Sequence, residues 1–274
     1  MRIVVSADVH YRPRWAEAAR RLARQVRQAQ PDCFVLAGDV GHPLANFERG
    51  LALFADLDCP RLALAGNHDL WSGEHSSQEL WDHLLEEAAR RAGFAWLDRE
   101  NVILGGLGIC GTLGWYDYSA RDPALPLDAR GYFINKGMFT NDGSFVDWAH
   151  TDQAFARRLL DAFGQRLAAL CEDETISHVL VATHVPPFRE SLVAAPAREG
   201  APEGDPASAY YGNLTLGRRI VTCPKVTHVV SGHTHHGGHW RIATDHGFIE
   251  SYVVGSDYGQ PACLVLDMPW VAAF

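Results

Sequence analysis

One local pattern, met five times, constrains this chain more than anything else in it. A short apolar run stops abruptly at residues of metal-ligand type. Leu62-Ala63-Leu64-Ala65 ends in Gly66-Asn67-His68-Asp69, and Ile3-Val4-Val5-Ser6-Ala7 ends in Asp8-Val9-His10. Cys33-Phe34-Val35-Leu36-Ala37 ends in Gly38-Asp39, His178 to Thr183 ends in His184, and His228-Val229-Val230-Ser231 ends in Gly232-His233-Thr234-His235. Runs this apolar suit parallel strands covered on both faces. In open α/β sheets ligands sit beyond the carboxyl ends of the strands, so these ends can meet at one place. Gly66 lets the backbone turn sharply and come close to what the next three side chains hold.

Helical patterns separate the first strands. Residues 15–30 put Ala18, Leu22, Val26 and Ala29 on one face, and residues 46–57 read as a second helix. This β-α-β-α-β alternation implies right-handed crossovers and a parallel sheet. Residues 76–92 form a third helix, with Ser76 and Ser77 as N-cap residues, Glu79 near N3 and Gly93 ending it. Residues 94–97, 102–104 and 108–111 read as short strands joined by turns, hence a second, more antiparallel sheet. Residues at about 115–148 are irregular and rich in aromatic rings; a loop of that length suggests a cap insertion over the site. Thr151 caps a helix over 152–171. Residues at about 190–208, rich in Ala, Pro, Gly and charge, read as a flexible flap, and strands from 247 onward complete a sheet. No linker or internal repeat divides the chain, so residues 1–274 are expected to form a single domain.

With 47% hydrophobic and 21% charged residues the chain has the composition of a soluble globular protein. A net charge of −9 disfavours a nucleic-acid partner, which needs a basic face. It leaves room for a small phosphorylated substrate. The first strand begins at Arg2 with no leader before it, and no apolar run approaches the ~18 residues of a membrane span. The six cysteines are scattered without a Cys-x-x-Cys pair, as expected of reduced, buried thiols in a cytoplasmic protein.

The strand-end residues are Asp8, His10, Asp39, Asn67, His68, His184, His233 and His235. They are too many for one four-coordinate zinc. They suit two divalent cations sharing a bridging carboxylate, the arrangement that clamps attacking and leaving oxygens in displacement at phosphorus.

The five blocks, in this order, resemble the calcineurin-like metallophosphoesterase family. The resemblance implies a four-layer αββα sandwich, two mixed β-sheets flanked by helices, with a dinuclear metal site at the carboxyl ends of the strands. It implies that Asp8, His10 and His235 hold one metal, Asn67, His184 and His233 the other, and that Asp39 bridges them. Sending His233 and His235 to different metals requires the backbone to turn at Gly232. The implied reaction is in-line attack by a metal-bridging hydroxide on a small phosphoester, a diester in preference to a monoester. His68, not a ligand in the family, is placed to protonate the leaving alkoxide, with Asp69 orienting its ring. His42, Trp115 and Tyr116 are expected substrate contacts. Imidazole-rich mixed sites accept Mn, Fe or Zn, whereas Mg alone prefers oxygen ligands. Val40-Gly41-His42-Pro43 lacks the arginine that protein phosphatases of the superfamily carry there, so a protein substrate is disfavoured. A nuclease, or a scaffold of the same fold without catalysis, remains as an alternative.

Overall fold

The computed structural model describes residues 1–192 and 205–268. Strand β1 (Arg2–Ser6) leads through a short 3-10 turn into α1 (Ala16–Gln28), then β2 (Cys33–Ala37), α2 (Leu44–Ala52) and β3 (Arg61–Leu64). A continuous helical stretch follows: α3 (Ser77–Glu79), a π segment (Leu80–Leu84) and α4 (Leu85–Arg91). Its start is the capping box that Ser76 and Glu79 announce in the sequence. Then come β4 (Ala95–Trp96), β5 (Val102–Leu104) and β6 (Leu107–Thr112), followed by α5 (Ala129–Phe139), α6 (Asp142–Phe145) and α7 (Asp152–Glu172). The chain continues through β7 (His178–Thr183), α8 (Leu214–Ile220), β8 (Val226–Ser231), β9 (Gly238–Thr244), β10 (Gly247–Val253) and β11 (Cys263–Asp267).

The strands form two sheets, ordered β11-β1-β2-β3-β4 and β5-β6-β7-β8-β10-β9. Period-two alternation sorts each strand between layers. Ile3, Val5, Val35, Leu62 and Leu64 of the first sheet face Ile109, Leu180, Ala182 and Val230 of the second. Val4, Phe34, Leu36 and Ala63 point the other way, onto α1, α2 and α4. Val179, Val181 and Val229 pack with Phe163, Leu167 and Ile220 of α7 and α8. Two sheets back to back with helices outside are the four layers expected.

The pairing differs from the sequence reading in one respect. β4 joins the first sheet, parallel to β3, and β6-β7-β8-β10 run parallel in the second. Only β5 and β9 are antiparallel in the second sheet, so that sheet is not the mainly antiparallel one anticipated. The turn after β5 does close a hairpin with β6, but β4 stays in the first sheet and the helix α7 supplies the crossover into β7. Among the described residues no helix is long and apolar enough to cross a membrane.

Residues 115–148 are not irregular throughout. They hold α5 and α6, and Trp115, Tyr116, Tyr118 and Tyr132 sink into the main core. The core of the expected flap, residues 193–204, lies outside the described residues; its flanks are 3-10 turns at Arg189–Leu192 and Pro206–Tyr210. All six cysteines are free; Cys33, Cys110 and Cys223 are buried, and the other three are half-buried.

Candidate metal centre

The loops after β1, β2, β3, β7 and β8 converge. Backbone bonds tie the first two together, His10 N–H donating to the Asp39 carbonyl at 2.8 Å and Asp8 N–H to that of Gly38 at 3.0 Å. Asp8, His10, Asp39, His233 and His235 all have positive φ, between 43° and 71°. Left-handed backbone costs an L-residue roughly 1–2 kcal/mol, and Asp and His tolerate it better than most. Strain concentrated on one cluster of polar side chains is typical of a functional site.

Two glycines are required by close approach. A Cβ on Gly66 would stand 2.1 Å from Asp39 Oδ1, and one on Gly232 would stand 2.4 Å from Asp8 Oδ2. The reversal between His233 and His235 is centred on His233, where Thr234 N–H donates to the Gly232 carbonyl at 2.8 Å, rather than on Gly232 as expected.

Asp39 occupies the middle. Its Oδ1 is 3.5 Å from His184 Nε2, and its Oδ2 is 3.6 Å from His10 Nε2 and 3.9 Å from His68 Nε2. Burial alone would raise its pKa, but His184, His68 and His10 hold it well below the carboxylate range. On one flank, Asp8 Oδ1 lies 3.5 Å from His235 Nε2, which stands 3.1 Å from His10 Nε2. Burial opposes charge on His235, yet Asp8, Asp39 and Asp257 outweigh it and raise its pKa. Burial drives His10 down to about 4.

On the other flank, Asn67 Oδ1 is 2.9 Å from His184 Nε2 and 3.0 Å from His233 Nδ1. The amide cannot be turned round, because its Nδ2 donates to both oxygens of Asp142 at 2.9 and 3.1 Å. The far nitrogen of each ring faces a carbonyl, Ala37 O at 3.0 Å for His184 and Tyr210 O at 2.9 Å for His233. Carbonyls only accept, so those nitrogens carry the protons. Burial, with His184 beside it, pushes His233 down to about 4, so its Nδ1 presents a lone pair to another lone pair on Asn67. Burial also opposes a proton on His184, but Asp39 lifts its pKa to about 10. That proton satisfies only one of the two ring-to-amide contacts. A divalent cation satisfies both, since it needs lone pairs converging from neutral imidazole and carbonyl oxygen. The donor set therefore fits a metal.

A model of the calcineurin-like phosphoesterase family matches residues 1–237. The chain belongs to that family. Solved structures with the same fold include the phosphopantetheinyl hydrolase PptH of Mycobacterium tuberculosis (16% identity, TM-score 0.68, covering 96% of this chain and 95% of that one). Another is a dimetal phosphatase of Danio rerio (17% identity, TM-score 0.54, covering 93% and 87%). No curated protein matches the sequence. Family membership makes this a metal-dependent phosphoesterase, and the Asp and His cluster is compatible with the divalent ions the family uses.

Within this phosphoesterase the other expected site residues separate. His68 sits at the open side of the cluster, stacked on Trp71 with ring centres 3.8 Å apart. His42 stands edge-on to the Trp71 ring at 5.9 Å, one ring further from the cluster. Asp69 does not touch the His68 ring. Its carboxylate accepts from Gly66 N–H at 2.9 Å, Gly41 N–H at 3.0 Å and Val40 N–H at 3.3 Å, clasping two ligand loops together. The 3-10 turn at His68–Leu70 aims the two side chains apart, which adjacency in sequence cannot reveal.

Trp115 and Tyr116 are both 0% exposed, so neither presents a surface to substrate. They are supports instead. Tyr116 OH donates to Asp142 at 3.0 Å, and Trp115 Nε1 to Asp152 at 2.7 Å. Asp142 itself was missed by sequence reasoning. It is buried, accepts from Asn67, Tyr116 and Trp71 Nε1 (2.7 Å), and orients the amide. Asp257, 3.5 Å from His235 Nδ1, and Tyr258, whose ring lies 4.4 Å from His10, were also missed. Single residues in loops carry no periodic signal.

Proposed function

We propose that this chain hydrolyses a small phosphodiester using two divalent cations, one held by Asn67, His184 and His233, the other by Asp8, His10 and His235, with Asp39 shared. The observation that carries this reading is the convergence on Asn67 Oδ1 of two imidazole nitrogens whose outer bonds aim their lone pairs inward, beside a carboxylate whose two oxygens face different histidines. Cations bound there would offset phosphoryl charge and lower the pKa of water. The mixed imidazole and oxygen donors favour Mn, Fe or Zn.

The protein's own groups do the rest. Asp39, kept ionised by three imidazoles, sets a fixed negative charge around which both donor sets are spaced. His68 is outside both sets, and its ring is held between Trp71 and His10, so it can give a proton to the departing oxygen or hydrogen-bond the phosphoryl group. Its backbone N–H donates to Asp39 Oδ1 at 2.8 Å, which ties the acid to the centre without spending its side chain. Tyr258, 42% exposed with its ring 4.4 Å from that of His10, offers an aromatic face beside the cluster to the second substituent of a diester.

The test is His68→Ala, assayed on bis(4-nitrophenyl) phosphate and 4-nitrophenyl phosphate with added Mn²⁺. Metal content should stay as in the parent protein while diester turnover falls by roughly 10²–10⁴-fold. Full turnover in the variant removes His68 from the reaction, and a parent protein that cleaves neither ester removes the function.

A further inference from the structure

A chain of rings borders the centre. From His42 it passes to Trp71 (5.9 Å), His68 (3.8 Å), His10 (4.7 Å), Tyr258 (4.4 Å) and Trp15 (5.7 Å). The middle members, His68 and His10, belong to the cluster around Asp39. The two ends come back together. A cavity of about 500 Å³ is lined by His42 and Asn46 on one side and by Arg12 and Arg14 on the other, with Pro13 and Pro43 between. The guanidinium of Arg14 lies over Trp15, 4.2 Å from its centre, and that of Arg12 at 5.5 Å. The groove is thus linked to the cluster from both ends, through Trp71 to His68 and through Trp15 and Tyr258 to His10.

Its charge is out of keeping with the rest of the molecule. The chain carries a net −9, whereas this groove is lined by two arginines; Arg2, Arg27 and Arg91 elsewhere are neutralised by Asp267, Asp56 and Glu48. Arg12 and Arg14 make no ion pair among the described residues, and only the Trp15 ring engages them. Two guanidinium groups without counter-charge, fixed over an aromatic face and bordering a cavity of small-ligand size, form a receptor for an anion. No carboxylate lines that cavity.

We propose that the groove binds a second phosphate of the substrate, carried on the substituent that phosphorus retains when the scissile ester breaks, so that the preferred substrate is a small phosphoester bearing another phosphate. This rests on the phosphoesterase reading of the adjacent centre. Arg12 and Arg14 take no part in the bond-breaking step; they select.

Two esters that differ only in that phosphate test it: thymidine 5′-(4-nitrophenyl phosphate) and the same ester carrying a 3′-phosphate. The parent protein should favour the 3′-phosphorylated ester in kcat/KM by about tenfold or more, mainly through KM, as expected for charge-assisted bonds made to a distant group. In the double variant Arg12→Ala/Arg14→Ala the preference should vanish while the unphosphorylated ester is cleaved as before. In Arg12→Glu/Arg14→Glu it should reverse. Cleavage of both esters with no preference, or a preference that survives both variants, overturns the proposal and leaves the phosphoesterase reading intact. Failure to cleave either ester with Mn²⁺, Fe²⁺ or Zn²⁺ overturns that reading and this inference with it.

Discussion

The two halves of the proposed metal centre are built differently. Asn67, His184 and His233 form an inner set, each bonded outward to a buried group: the Asp142 carboxylate, the Ala37 carbonyl and the Tyr210 carbonyl. Asp8, His10 and His235 form an outer set that reaches the surface. The His235 ring is 18% exposed and turns its far nitrogen to Asp257, a carboxylate 62% exposed. Exposed pairs are screened and contribute little, whereas buried, fully bonded networks hold their geometry. The inner set is therefore the preorganised one. The outer set is ordered chiefly by left-handed backbone at Asp8, His10 and His235 and by the bonds from His233 N–H to both oxygens of Asp8.

Four changes break or sharpen that contrast. The largest effect is expected at the residue the halves share. Asp39→Ala should cost both sites their metal and lower turnover by at least about 10³-fold, measured by elemental analysis beside kinetics. Retention of one tightly held ion would show that the halves are independent. Next comes Asp142→Ala, remote from the reacting groups. It strands Asn67 Nδ2, Trp71 Nε1 and Tyr116 OH in the interior, and inner-set metal affinity should fall about 10- to 100-fold, as titration calorimetry would record. Asp257→Ala should weaken only the outer set, and by no more than about threefold to fivefold. An Asp257 effect larger than that of Asp142 would invert the ranking. Smallest is Tyr116→Phe, which keeps the ring and removes one bond to Asp142. Chemical denaturation should show a loss of about 1 kcal/mol with turnover little altered.

The same contrast marks what the sequence could tell. The residues that converge at the strand ends were legible because each follows an apolar strand that breaks off at a polar residue, a local signal. The four layers were legible because alternating burial within those strands needs cover on both sides. What orients the ligands was not. Asp142 meets Asn67 across 75 positions, and nothing in Asn141-Asp142-Gly143 distinguishes it from a surface turn. Residues 115–148 misled for a physical reason. In α5 the inward positions are Tyr132 and Lys136, the latter paired with buried Asp152, while Ile134 and Met138 stand 65% and 73% exposed. A helix with its polarity inverted shows no amphipathic period, so it reads as loop. Asp69 misled because a 3-10 turn separates the directions of two adjacent side chains.

The central claim is that seven side chains from five strand ends hold two cations, one set firmly and one loosely. Loading the purified protein with Mn²⁺, removing the excess and following the metal content during timed exposure to a chelator tests it most directly. The account predicts two ions per chain at the start, the first lost rapidly and the second slowly. A starting content of one ion or fewer would contradict it.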